Sequence, residues 1–404
     1  MKSKRVKMMA ERLFLLDPNT HMTVVVTLEG DVSVEEIREA VQKTYTQNQT
    51  TMSKFVLDEK GNLYLEEMPE TGCKVIVDDR DWQEIMYENE RKTFRINEGE
   101  LVRTFIIPKG EKKDIYIMAH HLMCDGFGLF ILVEDIVSNL QGKEVAYKPT
   151  KVLTKKEVIR RGDLTFKQRL GLKGLNQKWK KERQVFGWDD YYKIHEEYWK
   201  NKRTNLVMKE IESSELETIK KECKDMGITV NSYLFTKLLQ ENPECKNIGA
   251  PLSLRGEERS IANFVGSVTA CYSYDASKSF EENAKVVDEL LRKQLQSEKV
   301  RYHSAQFFAI ADPTLIDAAL MYLILGYENR LAEVMAHIIG YIGDTYTDLG
   351  VTNLKEITIP SDYDRFKITN FIPVAPCILT SEIVVSISTY QGKMLIVDGR
   401  VKEI

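Results

Sequence analysis

The residues with the clearest chemical potential stand in HHLMCDGFG, His120 to Gly128. Imidazole suits proton transfer near neutral pH, because its ordinary titration falls there. A histidine placed where a strand ends and a loop begins projects into a cleft while the sheet anchors its backbone. The apolar run DIYIMA directly before His120 supplies such a strand. Asp125 can point back beneath the loop, either touching the imidazole or pairing with a distant arginine to fix the loop's shape. Gly126 allows a backbone conformation that a side chain would hinder. The combination reads as an oriented general base, and three other readings compete with it. A metal site built from His120, His121 and Asp125 is disfavoured, since adjacent residues on an extended segment face opposite sides. A purely structural loop, its histidines satisfied by neighbouring carbonyls, is the usual fate of an isolated histidine. A Cys124 nucleophile with a histidine partner would need a lowered thiol pKa, for which nothing nearby provides a cause.

The elements that must position this stretch are legible on either side. HMTVVVTLEG from His21 is a β-branched run suited to a buried strand, and DVSVEEIREAVQKTYTQ has helical spacing, with Ser33 and Glu36 as a capping box. FVLDEKGNLYLEEM and LVRTFIIPKGEKKDIYIMAHH each read as a hairpin, turning at Asp58 to Gly61 and around Lys109 to Lys113. LFILVEDIVSNLQGK is a helix ending at Gly142. Strand then capped helix returns in TNLVMKEIESSELETIKKECKDMG, with Ser214 and Glu217 as the capping pair and Gly227 as the stop. A helix, a strand–loop–strand unit, a largely helical stretch from Asp312 and a hairpin about Gln391 and Gly392 complete the chain. The predicted fold class is α/β (α+β) in two lobes: 1–150 with the histidine motif, a connector over 151–200, and 201–404.

A chain of 404 residues, 43% hydrophobic and 29% charged, can bury a sizeable core and is not disordered by composition. Its net charge of −4 gives no global attraction to nucleic acid or acidic membranes, so such a role would need a local basic patch. The connector has one, with 12 Lys or Arg against 3 Asp or Glu between Lys151 and Gln184, interleaved with Phe166, Trp179, Phe186 and Trp188. It reads either as a solvated segment with aromatic anchors onto the body, or as a docking surface for phosphates or an acidic carrier protein. No nucleic-acid motif accompanies the charge. The six cysteines are scattered without a metal-binding spacing and fit reduced thiols in a cytoplasmic protein. The N-terminal stretch is too short for a signal-peptide core, and AALMYLILGY is well short of a bilayer span, so membrane insertion is not expected.

HHLMCDG resembles the HHxxxDG signature of the CoA-dependent acyltransferase superfamily, which includes chloramphenicol acetyltransferases, the condensation domains of nonribosomal peptide synthetases, and alcohol acyltransferases. FLLDPNTHMTVVVTLEGDVSVEEIREAV is similar to the family's first strand and helix, SLRGEERSIANFVGS to its arginine-then-N-F-x-G stretch, and STYQGKMLI to its late strand pair. VTNLKEITIP resembles the family's Asn-Leu-Gly segment, with Lys355 where glycine is usual, and the plant branch's D-F-G-W-G is absent. The resemblance implies two chloramphenicol-acetyltransferase-like lobes in a V with a tunnel between them. It implies His121 as general base toward an acceptor hydroxyl or amine, Asp125 paired with Arg255 of the other lobe, Gly126 giving the acyl donor room, and His120 in a packing role. His120, Cys124, Ser267, Ser386, Ser388 and Thr389 are candidates to line the cleft, the four hydroxyls also as oxyanion donors. The co-substrate would be acyl-CoA, or a phosphopantetheine thioester on an acyl or peptidyl carrier protein, with a small-molecule acceptor and neither a metal nor a bound cofactor. A catalytically silent binding protein of the same fold is a third reading.

Overall fold

The β-branched run from His21 forms the strand His21–Gly30, the centre of a six-stranded mixed sheet. This is a computed structural model, and it describes residues 5–343 and 347–404. Across the sheet the strands run Asp362–Tyr363, Phe366–Val374, His21–Gly30, Lys112–His120, Val102–Lys109 and Lys74–Val77. His21–Gly30 and Lys112–His120 are antiparallel with His21 opposite His120, so the histidine motif leaves the sheet at the strand's last residue. The hairpins turning at Asp58 to Gly61 and around Lys109 to Lys113 both form. The helix Val34–Thr46 starts in the expected capping box: Ser33 Oγ accepts the Glu36 N–H at 3.1 Å, and the Glu36 carboxylate accepts the Ser33 N–H at 2.7 Å.

The second lobe holds another six-stranded sheet, in the order Val265–Cys271, Asn247–Ser253, Thr347–Glu356, Ser381–Tyr390, Lys393–Glu403 and Lys202–Ile211. The hairpin about Gln391 and Gly392 joins two of these strands. Each lobe has its own apolar cluster, and a smaller one, including Leu153, Ala262, Phe264 and Tyr302, fills the junction. The chain is thus α/β in two lobes.

Three expectations change. The strand Phe366–Val374 lies within the stretch assigned to the second lobe, yet it pairs with His21–Gly30 and completes the first lobe's sheet. It covers an edge that would otherwise expose unpaired backbone groups. The helix Pro313–Leu325 likewise buries Leu315 to Met321 in the first lobe's core, so the 201–404 division is crossed twice. Ser214 is not a cap: the strand Lys202–Ile211 stays paired to its last residue, so the helix Ser213–Met226 starts directly after Glu212 with no side-chain cap. Phe166 is not an anchor. The connector folds as the helices Lys155–Arg161, Phe166–Glu182 and Trp188–Trp199; Trp179 in the second and Phe186 in the loop after it are buried, while Phe166 is 73% exposed.

Among the described residues no single helix is long and apolar enough to cross a membrane. The return of Pro313–Leu325 to the first lobe is fixed by a buried ion pair with the short helix Ala10–Phe14, in which Arg12 Nε donates to Asp317 Oδ1 at 2.9 Å. Both side chains are fully enclosed. Such a pair is hard to break singly, because the surviving charge has no water to turn to. Asp317→Ala is therefore expected to cost about 3–5 kcal/mol, read as a lowered urea midpoint at pH 7. Replacing both residues, Arg12→Met with Asp317→Leu, should recover most of that loss.

Candidate functional site

His121 follows the last strand residue, and its backbone is held from both directions. Its N–H donates to the Thr20 carbonyl at 2.8 Å, and its own carbonyl accepts from Asn263 Nδ2 at 2.8 Å. Its ring lies flat on the Phe14 ring, with centroids 3.9 Å apart and planes 10° from parallel. Nδ1 is 3.0 Å from the Cys124 carbonyl, which can only accept. The ring proton therefore sits on Nδ1, and Nε2 keeps a free lone pair. Burial pushes the His121 pKa below the ordinary histidine value, partly offset by the nearby Asp125 carboxylate and by hydrogen bonds, so the neutral ring is favoured.

His120 goes the other way. Its Nδ1 accepts the Leu122 N–H at 3.2 Å, its Nε2 lies 3.2 Å from Thr20 Oγ1, and its ring meets Phe94 edge-on. Burial, with His195, His121 and Arg103 nearby, lowers its pKa to about 3. Both ring nitrogens are engaged inside the core, and the two histidines do not converge.

Asp125 caps the helix Gly126–Leu140 and gathers three donors. Its Oδ1 accepts the Gly128 N–H at 2.8 Å and Arg255 Nη2 at 2.7 Å, and its Oδ2 accepts the Phe264 N–H at 2.9 Å. Arg255 also donates to the carbonyls of Glu258, Ser260 and Ala262, at 3.3, 2.5 and 2.6 Å. Its guanidinium lies 4.7 Å from the centre of the Phe264 ring. The distant arginine, not the imidazole, is thus the aspartate's partner.

His121, Asp125 and Gly126 line a cavity of about 1660 Å³ with walls from both lobes. Of the six candidate cleft residues, Ser267 and Thr389 line it and His120, Cys124, Ser386 and Ser388 do not. Those four are buried. Ser386 Oγ is already taken up as acceptor of the Ala375 N–H at 2.8 Å. Burial pushes the Cys124 thiol well above its ordinary range, which removes thiolate chemistry at neutral pH. A side chain at Gly126 would press on Leu354, its Cβ 3.3 Å from Leu354 Cδ2. The neighbouring Lys355 adopts φ 59°, the conformation that the usual glycine would favour, with its N–H donated to Asn353 Oδ1 at 2.8 Å.

Four positioning residues were not assigned from sequence. Phe14 and Thr20 precede the strand His21–Gly30 and carry no local signal of where they fold back. Asn263 stands in the N-F-x-G stretch, which was matched without a role. Gly128 is required by close approach, since a Cβ there would lie 2.7 Å from the Cys124 Cβ.

Known structures share this architecture across nearly the whole chain. Polyketide synthase associated protein 5 from Mycobacterium tuberculosis superposes with a TM-score of 0.67 at 11% identity, covering 97% of this chain and 92% of that one. The TRI3 trichothecene 15-O-acetyltransferase from Fusarium sporotrichioides gives 0.65 at 11%, covering 99% and 91%. The condensation domain from the monacolin K polyketide synthase MokA gives 0.65 at 12%, covering 98% and 92%. In sequence, 138 residues are 26% identical to a polyketide synthase-nonribosomal peptide synthetase of Aspergillus clavatus, a match spanning 31% of this chain and 3% of that protein. The family model of the condensation domain matches residues 9–306, and on that match the chain belongs to the condensation-domain family.

Proposed function

We propose that this protein is an acyltransferase that moves an acyl group from a CoA thioester to the hydroxyl or amine of a small-molecule acceptor, with His121 as general base. The family makes acyl transfer the expected reaction class, and a neighbour of the same fold is an O-acetyltransferase. The observation that carries the residue assignment is the tautomer of His121. With Nδ1–H committed to the Cys124 carbonyl, Nε2 is the basic atom of a ring that lines the cavity.

Nε2 takes the proton of the acceptor O–H or N–H as that atom attacks the thioester carbonyl carbon. The resulting tetrahedral oxyanion collapses, the carbon–sulfur bond breaks, and the departing thiolate receives the proton from the His121 ring. Asp125 and Arg255 act at a distance, holding the loop that carries the imidazole. Of the four hydroxyls considered as oxyanion donors, Ser267 and Thr389 keep that candidacy because they line the cavity. The depressed pKa of His121 favours the base form before any substrate arrives.

A carrier-borne phosphopantetheine thioester is the alternative donor, supported by the multidomain synthetase among the relatives. Supplying one acyl group both on CoA and on a carrier protein separates the two, since transfer from the carrier alone would overturn the CoA reading. A silent binding protein is separated by thiol release: His121→Ala should lower it by about 10²–10⁴, and equal release by both proteins would support the silent reading. Because the folded pKa is lowered, the neutral base persists to lower pH. The acid limb of the kcat/KM profile should accordingly fall below 6.5, the ordinary histidine value. Arg255→Lys keeps the charge but loses the planar fork that joins Asp125 to three carbonyls. It should lower kcat by up to about 10²-fold through a displaced loop, with KM for the donor little changed.

A further inference from the structure

The helix Phe166–Glu182 is a wall with two unlike faces. Its inner face supplies Gln168, Gly171, Leu172 and Leu175 to the cavity, beside Phe307, Phe308 and Ile338. It is firmly seated: Trp179 Nε1 donates to Thr314 Oγ1 at 2.8 Å, and Asn176 Nδ2 donates to the Ile310 carbonyl at 2.8 Å. On its outer face Phe166 and Leu170 stand one turn apart, 73% and 58% exposed, and neither lines the cavity. Lys173 and Gln177 continue that stripe at helical spacing, and Arg169, Lys180 and Lys181 flank it.

Those cations are not neutralised locally. Elsewhere in the connector Lys151, Arg161 and Arg183 pair with Glu258, Glu298 and Asp312. Among the described residues, Arg169, Lys173, Lys180 and Lys181 have no carboxylate within ion-pair distance. Burying Phe166 and Leu170 against the body would have been the ordinary outcome, so their exposure on a rigid, unpaired basic helix calls for an external apolar medium bounded by negative charge.

We propose that the outer face of Phe166–Glu182 docks on an anionic lipid bilayer. Phe166 and Leu170 enter the headgroup and acyl boundary while the surrounding cations meet lipid phosphates. The same helix forms the wall of an apolar chamber, so docking would bring that chamber to the surface where substrates with long alkyl chains are dissolved. This last step rests on the acyl-transfer reading, whereas the docking itself does not. An acidic protein would need only the cations and would leave the two large side chains in water.

Flotation of the full chain with vesicles tests it. Binding to phosphatidylglycerol–phosphatidylcholine vesicles, reduced by salt and weak on pure phosphatidylcholine, is expected. Lys173→Gln should weaken it roughly fivefold, and Phe166→Ser with Leu170→Ser by about tenfold or more. Neither variant should change the melting temperature or thiol release from a water-soluble acyl-CoA. Absence of flotation, flotation that the Phe166/Leu170 variant shares undiminished, or capture of an acidic acyl carrier protein in place of vesicles would each overturn the proposal. Flotation with the expected variant pattern but no thiol release from any thioester would uphold docking and count only against the acyl-transfer reading.

Discussion

The buried pair of Asp125 and Arg255 is the constraint around which the site is built. The two side chains are 4% and 6% exposed, so neither charge has water as an alternative partner. A buried pair is stable only when the remaining donors and acceptors are also satisfied. Here the carboxylate takes three donors and the guanidinium reaches three carbonyls besides, and Arg255 Nε alone of its nitrogens is buried without a partner among the described residues. The result ties the start of the helix Gly126–Leu140, in the first lobe, to the loop before Val265–Cys271, in the second. Moving the lobes apart would strip hydrogen bonds from both charges at once.

His121 inherits its geometry from that tie. The Cys124 carbonyl that orients the ring precedes Asp125 directly, and Asn263, which holds the His121 carbonyl, lies between two of the residues bonded to the pair. Phe14 covers one face of the ring and belongs to the short helix whose Arg12 reaches Asp317. The elements that touch the imidazole are therefore each tied to a buried ion pair, Asp125 with Arg255 and Arg12 with Asp317. Specificity of this kind is a known use of buried charge, although hydrophobic replacements can be as stable.

The cavity is a product of segments far apart in sequence. Its walls come from the connector helix, from the helices after residue 302, and from strands of both sheets. An apolar chamber beside a base excludes water and strengthens every polar interaction within it. The helix that encloses one side of that chamber also turns an unpaired basic and apolar face outward, so the connector is a structural wall and an exposed surface at the same time.

Local physics carried much of this into the sequence. The strand His21–Gly30, the capping box of Ser33 and Glu36, the hairpins and the αL stop at Gly227 depend on neighbours within a few residues, and the sequence displays those neighbours. The separation of His120 from His121 followed from the alternation of side chains along an extended strand. The pairing of Asp125 with Arg255 entered through family resemblance, because spacing alone left the aspartate's partner open. Other features lay beyond any local window. The return of Phe366–Val374 to the first sheet, the burial of Ser386 and Ser388, the stacking of Phe14 and the outward turn of Phe166 depend on which distant surfaces meet. Many of the elements and the chemical types available could be read before folding, since backbone propensity and side-chain alternation act over short range. Which of those groups face the cavity emerges with the folded chain, because burial and long-range pairing are properties of the assembly of distant segments.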